Sequence, residues 1–503
     1  MDTPQVSLHV VTRGRWGELR WALVGLLLIA WTLRLPPLLQ TPLHPDEALY
    51  GYWGKLISQG RDVWLTGVPA YKPPLLPYLV AAAQLLFGDT IAAHRLSGLV
   101  PGLLLVPLTG ALACVLYDDR WAGAMAAVGV ALSPLGVVFS GAAFPDMLMV
   151  VLGVAACLAA VRDRAGWAGL LAGLSFAAKQ TGLVWLPLSL LMRCRPLDTR
   201  GGIRRYTFKL IGGWLLVAGF VFAWDAARIA QGAASFWQAG VVGYGGLRLV
   251  WPQEMWPRLQ EWCRLTHYLF ASPVIGGLLL TGLPLLILIG LARHPDSRYA
   301  RADISLACFL LVYVLIHWLL AFPTWERYLL PLVPILAVLL GRILRKVASW
   351  LPFVPSTWRF GLAGLLLVAL LTVPAFRASA GCPPMDGERA AYEGMEKVVS
   401  FLADLPEGSV VYHHWLGWHY HYALGDAAVY LAYWPNPAWL ARDVEVFGDR
   451  EPRYIAFPGW ESSARVEHHL SGVGYELDPV LSVAGSDGHD AFAVYQLEPS
   501  SDR

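Results

Sequence analysis

Residues 44–78 read HPDEALYGYWGKLISQGRDVWLTGVPAYKPPLLPY, and this stretch brings charge to the edge of an apolar chain. Asp46 and Glu47 follow a proline, which is typical of the first turn of a helix, where carboxylates are stabilised by the helix dipole. Because adjacent helical residues point about 100° apart, capping does not require both acids, and one of them can face a cavity. Lys72 precedes two prolines that fix the backbone, so it is either an interfacial lysine or a contact for a phosphate group.

The sequence on either side of this stretch is that of a membrane protein. Of the 503 residues, 56% are hydrophobic and only 15% are charged, whereas a soluble domain has about 25% charged residues. The net charge of +2 provides no broad basic surface, so we expect no nucleic-acid partner. A membrane helix needs about 20 apolar residues, and eleven apolar runs are predicted to span the bilayer: 19–38, 96–117, 121–140, 147–161, 166–178, 182–193, 210–224, 272–292, 303–321, 328–341 and 359–375.

Four of the apolar segments need a separate interpretation. The runs 166–178 and 182–193 are short and polar residues separate them, so we predict two helices that meet at a polar turn, with one broken helix as the alternative. The segment Leu75–Phe87 is shorter still and is assigned to the membrane interface. The first run lacks the layout of a signal peptide and is predicted to be a retained membrane helix.

The distribution of basic residues predicts the orientation of the spans. Cytoplasmic loops carry an excess of lysine and arginine, and such residues gather near 13–20, 120, 162–164, 193–209, 293–301 and 342–359. We therefore expect a cytoplasmic N-terminus. The segments that should face outward are 39–95, 140–146, 225–271 and 322–327. Eleven crossings would put the C-terminus outside as well.

The hydropathy of the chain falls after about residue 377. We therefore divide the chain into a membrane domain, 1–376, and a small extracytoplasmic α/β domain, 377–503. Strands are expected at Gly408–Tyr412 and Arg453–Phe457, and a helix at Gly387–Leu405, where apolar residues recur at helical spacing.

Further charges lie where the membrane helices meet the outer face. A charge beside apolar helices is costly and is a functional candidate by default. Asp146 is either a dipole partner at a helix start or a second carboxylate beside Asp46. Lys179 lies in the polar turn, and polar backbone at membrane depth is tolerated only where it is buried in protein or lines a cavity. Arg327 either pairs with Glu326 or makes a bidentate contact to phosphate.

The order of these motifs resembles that of the GT-C membrane glycosyltransferases. An acidic pair after the first span is followed by Lys-Pro-Pro, an acid-bearing turn, a Lys-polar-Gly break and a late Arg-Tyr-x-x-Pro. This looks like glycosyltransferase family 39, which contains protein O-mannosyltransferases and the aminoarabinose transferases of lipid A, and it is similar to bacterial members with an RgtA/B/C/D-like domain. The resemblance covers about residues 20–375, and residues 44–78 carry most of it.

The resemblance implies an inverting transfer of a sugar from a polyprenyl-phosphate donor to a hydroxyl acceptor at the outer membrane face. It implies Asp46 as the base, or as the acid that orients it, with Glu47 in support and Asp146 as a second acid. The donor phosphate would meet Lys72 and, by weaker resemblance, Arg327; we add Lys179 to this set. His44, Tyr50, Tyr71 and Tyr328, which neighbour these groups, are expected to line the substrate cavity.

The cofactor, the acceptor and the class of protein remain open at this stage. Asp46, Glu47 and Asp146 can bind Mg²⁺ or Mn²⁺ through oxygen, but no ligand pattern requires a metal. The acceptor can be a lipid, a glycan or a protein, and the expected location is the plasma membrane of a bacterium. The alternatives are a transporter or lipid flippase, which would place charges near the bilayer midplane in paired broken helices, and a non-catalytic scaffold.

Overall fold

The structure of the protein, a computed structural model, describes residues 13–193, 200–243, 248–293, 297–350, 355–381, 391–485 and 488–500. Predictions that fall on other residues, such as 387–390 of the expected helix, lie outside the described residues. The described chain is mostly helical, and it ends in a small domain that contains a sheet. This confirms the predicted class, an α-helical membrane protein with a C-terminal α/β domain.

The membrane part consists of helices that we number in chain order. They are α1 (Arg13–Gln40), α2 (Pro45–Ser58), α3 (Leu75–Phe87), α4 (Ile91–Tyr117), α5 (Arg120–Ala131), α6 (Pro134–Ser140), α7 (Pro145–Val161), α8 (Ala165–Ala178), α9 (Trp185–Leu191), α10 (Arg200–Ala230), α11 (Phe236–Gly243), α12 (Pro252–Thr266), α13 (Pro273–Arg293), α14 (Arg298–Leu319), α15 (Leu332–Ser349) and α16 (Ser356–Ser379). Short 3-10 turns cover Gln180–Val184, His267–Leu269 and Glu326–Leu329.

Six of these helices are long and apolar enough to cross a membrane, namely parts or all of α1, α4, α10, α13, α14 and α16. A seventh span results if α5 and α6, which are bent by 57° at a short break, are counted together. Several predicted spans correspond to shorter helices that are buried within the bundle, such as α7 with 17 residues and α8 with 14. The count of eleven crossings therefore stays a prediction.

The polar break is formed as two helices with a turn between them. Helix α8 ends at Ala178, the 3-10 turn Gln180–Val184 follows, and α9 has only seven residues. Gly182 lies in this turn, and a Cβ there would come within 2.2 Å of the Ser175 carbonyl oxygen, so the close approach requires glycine. The turn places Lys179 inside the protein, where its side chain is buried.

The C-terminal domain is a five-stranded mixed sheet with helices on both faces. Its strands are β1 (Val410–His413), β2 (Tyr430–Tyr433), β3 (Arg453–Pro458), β4 (Tyr475–Ala484) and β5 (Asp490–Pro499), in the spatial order β2-β1-β3-β5-β4. The pairs among β2, β1 and β3 are parallel, and β5 runs antiparallel to β3 and β4. The helices are α17 (Met395–Ala403), α18 (Gly417–Ala423), α19 (Pro437–Phe447) and α20 (Ala464–Ser471).

Side chains alternate across this sheet and build two apolar cores. Val411 and Ala456 face α17 and α18, whereas Tyr412 and Ile455 face α19 and α20. The two predicted strands are confirmed within two residues at each end. The described part of the predicted helix, 391–405, contains α17, which begins only at Met395, because residues 391–394 form a turn that ends in Gly394 with a positive φ of 89°. The boundary between 376 and 377 stays a prediction, and α16 runs on to Ser379.

The C-terminal domain contacts the membrane part beside α2, the helix that begins with the acidic pair. Asp426 lies 2.8 Å from the Lys55 ammonium and 2.6 Å from the Arg61 guanidinium. The His419 ring nitrogen Nε2 lies 2.9 Å from the Leu43 carbonyl oxygen, one residue before His44. The loop 41–44, which leads into α2, therefore lies between the domain and the candidate site.

Candidate active site

Asp46 lies in the first turn of α2, where the chain itself fixes its backbone. The Asp46 N–H donates to Nδ1 of His44, which caps the helix. The Asp46 carboxylate accepts from Arg327 Nη1 at 3.0 Å and from the Tyr71 hydroxyl at 3.3 Å. Burial disfavours the ionised carboxylate, but Arg327, His44, Lys72 and the Tyr71 hydroxyl outweigh this, and the pKa of Asp46 lies below its usual value.

Lys72 lies on the loop between α2 and α3, and its side chain is buried. Its ammonium nitrogen is 5.1 Å from the centre of the Tyr71 ring. Burial and, to a smaller extent, Arg327 lower the pKa of Lys72 to about 8, against the attraction of Asp46 and Asp146. Gln180 of the polar break donates to the Tyr71 carbonyl oxygen at 2.7 Å, which holds this loop against the turn after α8.

Asp146 and Lys179 form a buried ion pair. Asp146 begins α7, and its Oδ1 accepts from the Lys179 ammonium at 2.6 Å. The other carboxylate oxygen, Oδ2, is buried with no hydrogen-bond partner among the described residues. The Lys179 ammonium also lies 4.4 Å from the centre of the Tyr328 ring. This pair joins the start of α7 to the break after α8 and to the 3-10 turn Glu326–Leu329.

Arg327 lies in that 3-10 turn, between two aromatic rings. The centre of its guanidinium is 4.1 Å from the Trp325 ring centre and 4.9 Å from that of Phe144, an arrangement that suits a planar cation. Burial disfavours its charge, but the carboxylates of Asp46 and Asp146 raise the pKa of Arg327. The ion pair of Arg327 is formed with Asp46, a partner that differs from the Glu326 considered from the sequence, and the contact to phosphate stays a prediction.

Glu47 points away from this group and is completely buried. Its carboxylate accepts from Arg95 Nε at 2.9 Å and from Arg95 Nη2 at 3.1 Å, and it also accepts from the Ala143 N–H at 2.9 Å. Arg95 donates in addition to four carbonyl oxygens of residues 37–42. Glu47 therefore joins α2 to α4 and to the segment before α7, while Asp46 faces the cationic group.

An apolar cavity of about 400 Å³ adjoins these groups. Lys72, Lys179 and Tyr328 lie on its wall, together with Gln180 and Thr181 of the polar break. The remaining wall is contributed by the 3-10 turn Gln180–Val184, by α9, α11 and α14, and by the segment after α14, through Leu183, Val184, Pro187, Trp237, Gly240, Val241, Ile316, His317 and Phe322. Two ammonium groups thus lie against a space whose other walls are hydrocarbon and aromatic, which suits a ligand with an anionic head and an apolar tail.

The structure brings together five of the six charged residues that the sequence predicts, and Glu47 lies apart. Asp46, Lys72 and Arg327 interact directly or through Tyr71. Asp146 lies close enough to attract both cations and pairs with Lys179, whose ammonium contacts Tyr328. Of the predicted cavity residues, Tyr71 and Tyr328 contact this group. His44 packs against Phe144, with ring centres 5.2 Å apart, and Tyr50 is buried against Trp53 and does not line the cavity.

Sequence reasoning missed Arg95 and the aromatic wall of the cavity, whereas Gln180 lies in the predicted polar turn. Arg95 directly precedes the apolar run 96–117, and a buried arginine implies a buried acid such as Glu47. From sequence alone, Trp237 fits an interfacial belt better than a substrate surface, and only the packing of α11 against the polar break assigns it to the cavity.

The carboxylates do not form a metal site. Among the described residues, no three His, Cys, Asp or Glu side chains gather in a way that could hold a metal ion. Asp46 is paired with Arg327, Asp146 is paired with Lys179, and both oxygens of Glu47 face Arg95 or backbone N–H groups. Mg²⁺ or Mn²⁺ requires several oxygen ligands, and here each of the three carboxylates is already paired with a cationic side chain. The residues present therefore do not fit the divalent cation considered from the sequence.

The chain is similar to known proteins in its three-dimensional structure, and the comparisons of its sequence give no match. No family model matches the chain, and no curated protein matches it. The crystal structure of ArnT from Cupriavidus metallidurans in the apo state matches with a TM-score of 0.64 and 16% identity, over 96% of this chain and 98% of that one. The same ArnT bound to undecaprenyl phosphate matches with a TM-score of 0.59 at equal identity and coverage.

The oligosaccharyltransferase of Archaeoglobus fulgidus is also similar. Its apo form matches with a TM-score of 0.54 and 13% identity, over 96% of this chain and 74% of that one. Its complex with Zn and sulfate gives a TM-score of 0.51 and 14% identity, over 94% and 72% of the two chains. All these identities are below 25%, so the likeness to ArnT and to the oligosaccharyltransferase shows the fold alone. The described chain therefore has the GT-C fold, as the resemblance of residues 44–78 implies.

Proposed function

We propose that the protein is an inverting glycosyltransferase that moves a sugar from a polyprenyl-phosphate donor to a hydroxyl acceptor at the outer face of the membrane. The observation that carries this proposal is the arrangement of Asp46 among Lys72, Arg327 and the Asp146–Lys179 pair, next to an apolar cavity. This arrangement provides a base, cations for a phosphate and a site for a lipid chain within one connected group of residues.

The donor is inferred from the two kinds of surface in the cavity. The ammonium groups of Lys72 and Lys179 can hold a phosphate, and the wall formed by α9, α11 and α14 can accept isoprenoid units. The match to ArnT in complex with undecaprenyl phosphate supports a polyprenyl phosphate as the carrier. The hydrogen bond to Asp146 holds the Lys179 ammonium in a fixed position. The phosphate would therefore meet a positive charge that is already in place.

The chemistry is a single displacement at the anomeric carbon. The acceptor oxygen forms a bond to that carbon while its proton passes to the Asp46 carboxylate. The bond from carbon to the phosphate oxygen breaks, and its electron pair stays on the phosphate, where Lys72 and Arg327 stabilise the charge. Arg327 binds Asp46 in the described state, so a phosphate that draws the guanidinium toward itself would raise the basicity of Asp46.

Glu47 is a positioning residue in this proposal. Its bonds to Arg95 and to the Ala143 N–H fix the first turn of α2 relative to the start of α7, and so fix Asp46 relative to Asp146. No step is assigned to a metal ion, because the cationic side chains already occupy the sites beside the carboxylates. The acceptor can be a lipid, a glycan or a protein, and we place the protein in a bacterial plasma membrane with its N-terminus in the cytoplasm.

The proposal is tested by a transfer assay with purified protein in detergent. Radiolabelled polyprenyl-phosphate sugars are mixed with a crude envelope extract as the acceptor, and wild type is compared with Asp46→Asn. The matched control is Asp119→Asn, because Asp119 also begins a helix and pairs with an arginine, Arg345 at 2.6 Å, far from the cavity. We expect label to move to an extract component with wild type and with the control but not with Asp46→Asn. Equal transfer by Asp46→Asn would contradict the proposal.

A further inference from the structure

A second large cavity lies at the opposite end of the α7–α8 hairpin from the candidate active site. Asp146 begins α7 and Lys179 follows α8, so the other ends of these helices meet at residues 162–164. At 1.5 Å per residue, the 17 residues of α7 extend about 26 Å, which approaches the thickness of a bilayer core. This cavity, of about 700 Å³, is therefore at the opposite membrane surface.

The wall of this cavity is strongly basic. Arg164, Arg193, Arg205 and Lys209 line it, and Asp163 is the single acid among the lining residues. Asp163 accepts from Arg193 Nε at 3.4 Å, and the lining residues that the structure describes carry four positive charges and one negative charge, an excess of three positive charges. The Nη1 atom of Arg193 is buried and has no hydrogen-bond partner among the described residues. A buried guanidinium N–H without a partner is costly, and an anion in the cavity would satisfy it.

The helical spacing explains how α10 contributes to the cavity. Gly202, Arg205, Tyr206 and Lys209 recur at intervals of three and four, so they share one face, and glycine leaves room beside Arg205. Tyr206 is buried on this face, and its ring centre is 4.9 Å from the centre of the Arg193 guanidinium. Arg193 is partly buried, whereas Arg164, Arg205 and Lys209 are exposed, and all four line the same pocket.

The exposed apolar side chains around the cavity favour a lipid over a soluble anion as the ligand. Trp167, which lines the cavity, is 63% exposed, as is typical of a tryptophan at the level of the headgroups. Phe208 and Leu215 of α10 are also exposed and continue away from Lys209 along the membrane-spanning part of the helix. An acyl chain can follow this apolar track while its phosphate lies in the basic cavity.

We propose that this cavity binds the phosphate of an anionic phospholipid in the leaflet opposite to the active site. The site is separate from the candidate active site and does not depend on the proposed transfer reaction. Juxtamembrane basic residues attract anionic lipids, and the guanidinium groups of Arg193 and Arg205 can each make bidentate contacts to a phosphate.

The test measures lipid binding by the full-length purified protein with native mass spectrometry. Phosphatidylglycerol is titrated into wild type, Arg205→Gln and Arg204→Gln, with phosphatidylcholine as the uncharged comparison. Arg204 is the matched control, because it is next to Arg205 on α10 and is likewise exposed, but only Arg205 lines the cavity. We expect Arg205→Gln to weaken phosphatidylglycerol binding by about tenfold, the effect of a lost charged hydrogen bond, and Arg204→Gln to leave it unchanged.

Three results would overturn the proposal. Equal weakening by the two variants would mean that the attraction is a diffuse effect of surface charge. Equal binding of phosphatidylcholine would mean that the phosphate charge is not recognised. Displacement of phosphatidylglycerol by inorganic phosphate at millimolar concentration would identify a site for a soluble anion. The melting temperature of each variant is measured alongside, and a double variant, Arg205→Gln with Lys209→Gln, should lose more binding than either change alone.

Discussion

At the scale of single residues, Asp46 and Glu47 are neighbours in the chain with different surroundings. Asp46 is half-buried between the Arg327 guanidinium and the Tyr71 hydroxyl, and Glu47 is fully buried against Arg95. The helix turns by about 100° between them, so one acid faces the cationic group and the other faces the bundle. The sequence predicts that the two carboxylates point in different directions. It does not identify their partners, because these lie in distant segments of the chain.

Substitution of Glu47 should lower stability more than substitution of Asp46. Glu47→Gln leaves the buried Arg95 guanidinium without a charged partner, a change that costs about 3–5 kcal/mol. We expect the melting temperature in detergent to fall clearly for Glu47→Gln and little for Asp46→Asn. The double variant Glu47→Gln with Arg95→Met should be more stable than Glu47→Gln alone, since it removes the unpaired charge. A stable Glu47→Gln protein would contradict the structural role.

The charge of Lys72 should set an alkaline limit to the activity. Its pKa is lowered to about 8 by burial, so the free enzyme loses this positive charge as the pH rises through 8. The value of kcat/KM reports groups in the free enzyme. We therefore expect kcat/KM for the donor to decrease above about pH 8. In Lys72→Arg, which stays charged, the decrease should move to higher pH, and an unchanged profile would exclude Lys72 as the titrating group.

At the scale of the elements, the sequence predicts the break after α8 but not its packing. Lys179 to Gly182 interrupt an apolar pattern, and polar backbone at membrane depth requires a buried environment. This reasoning identifies a turn with a functional lysine. The contact of Gln180 with the Tyr71 carbonyl oxygen, and the pairing of Lys179 with Asp146, depend on how α3, α7 and α8 pack, which periodicity does not encode.

A methyl group at Gly182 should disturb this break and the position of Lys179. The added Cβ would meet the Ser175 carbonyl oxygen at 2.2 Å, and backbone on both sides must then shift. Overpacking of this kind costs about 1–3 kcal/mol, so we expect Gly182→Ala to lower the melting temperature and to reduce transfer. The control is Gly166→Ala on α8, where a Cβ meets no atom within 4 Å. A similar loss of transfer in both variants would show that the break is not specifically required.

At the scale of the whole molecule, the candidate site and the C-terminal domain lie on one side of the membrane part. The contacts of Asp426 with Lys55 and of His419 with Leu43 place the domain beside α2. The class of the fold and the small α/β domain follow from composition and hydropathy, because long apolar runs and their loss after about 377 are strong signals. The exact number of spans does not follow, because α7 and α8 are short helices buried in protein, where length no longer identifies a span.

The orientation can be tested with reporter fusions in a bacterial host. We expect alkaline phosphatase to be active after Arg503, since the C-terminal domain is predicted to lie outside, and green fluorescent protein to stay dark there. A phosphatase fusion after Arg204, at the opposite end of the α7–α8 hairpin, should be inactive. The reverse pattern at both positions would put the candidate site in the cytoplasm and contradict the proposed location of transfer.

The measurement that tests the central claim most directly compares donor binding with transfer in the same preparations. Labelled undecaprenyl-phosphate sugar is added to wild type, Asp46→Asn and Lys72→Gln, and both the bound donor and the sugar moved to acceptor are measured. Asp46→Asn should bind the donor but transfer no sugar, whereas Lys72→Gln should lose donor binding by about tenfold or more. Transfer by Asp46→Asn at the wild-type rate, or unchanged donor binding by Lys72→Gln, would contradict the account.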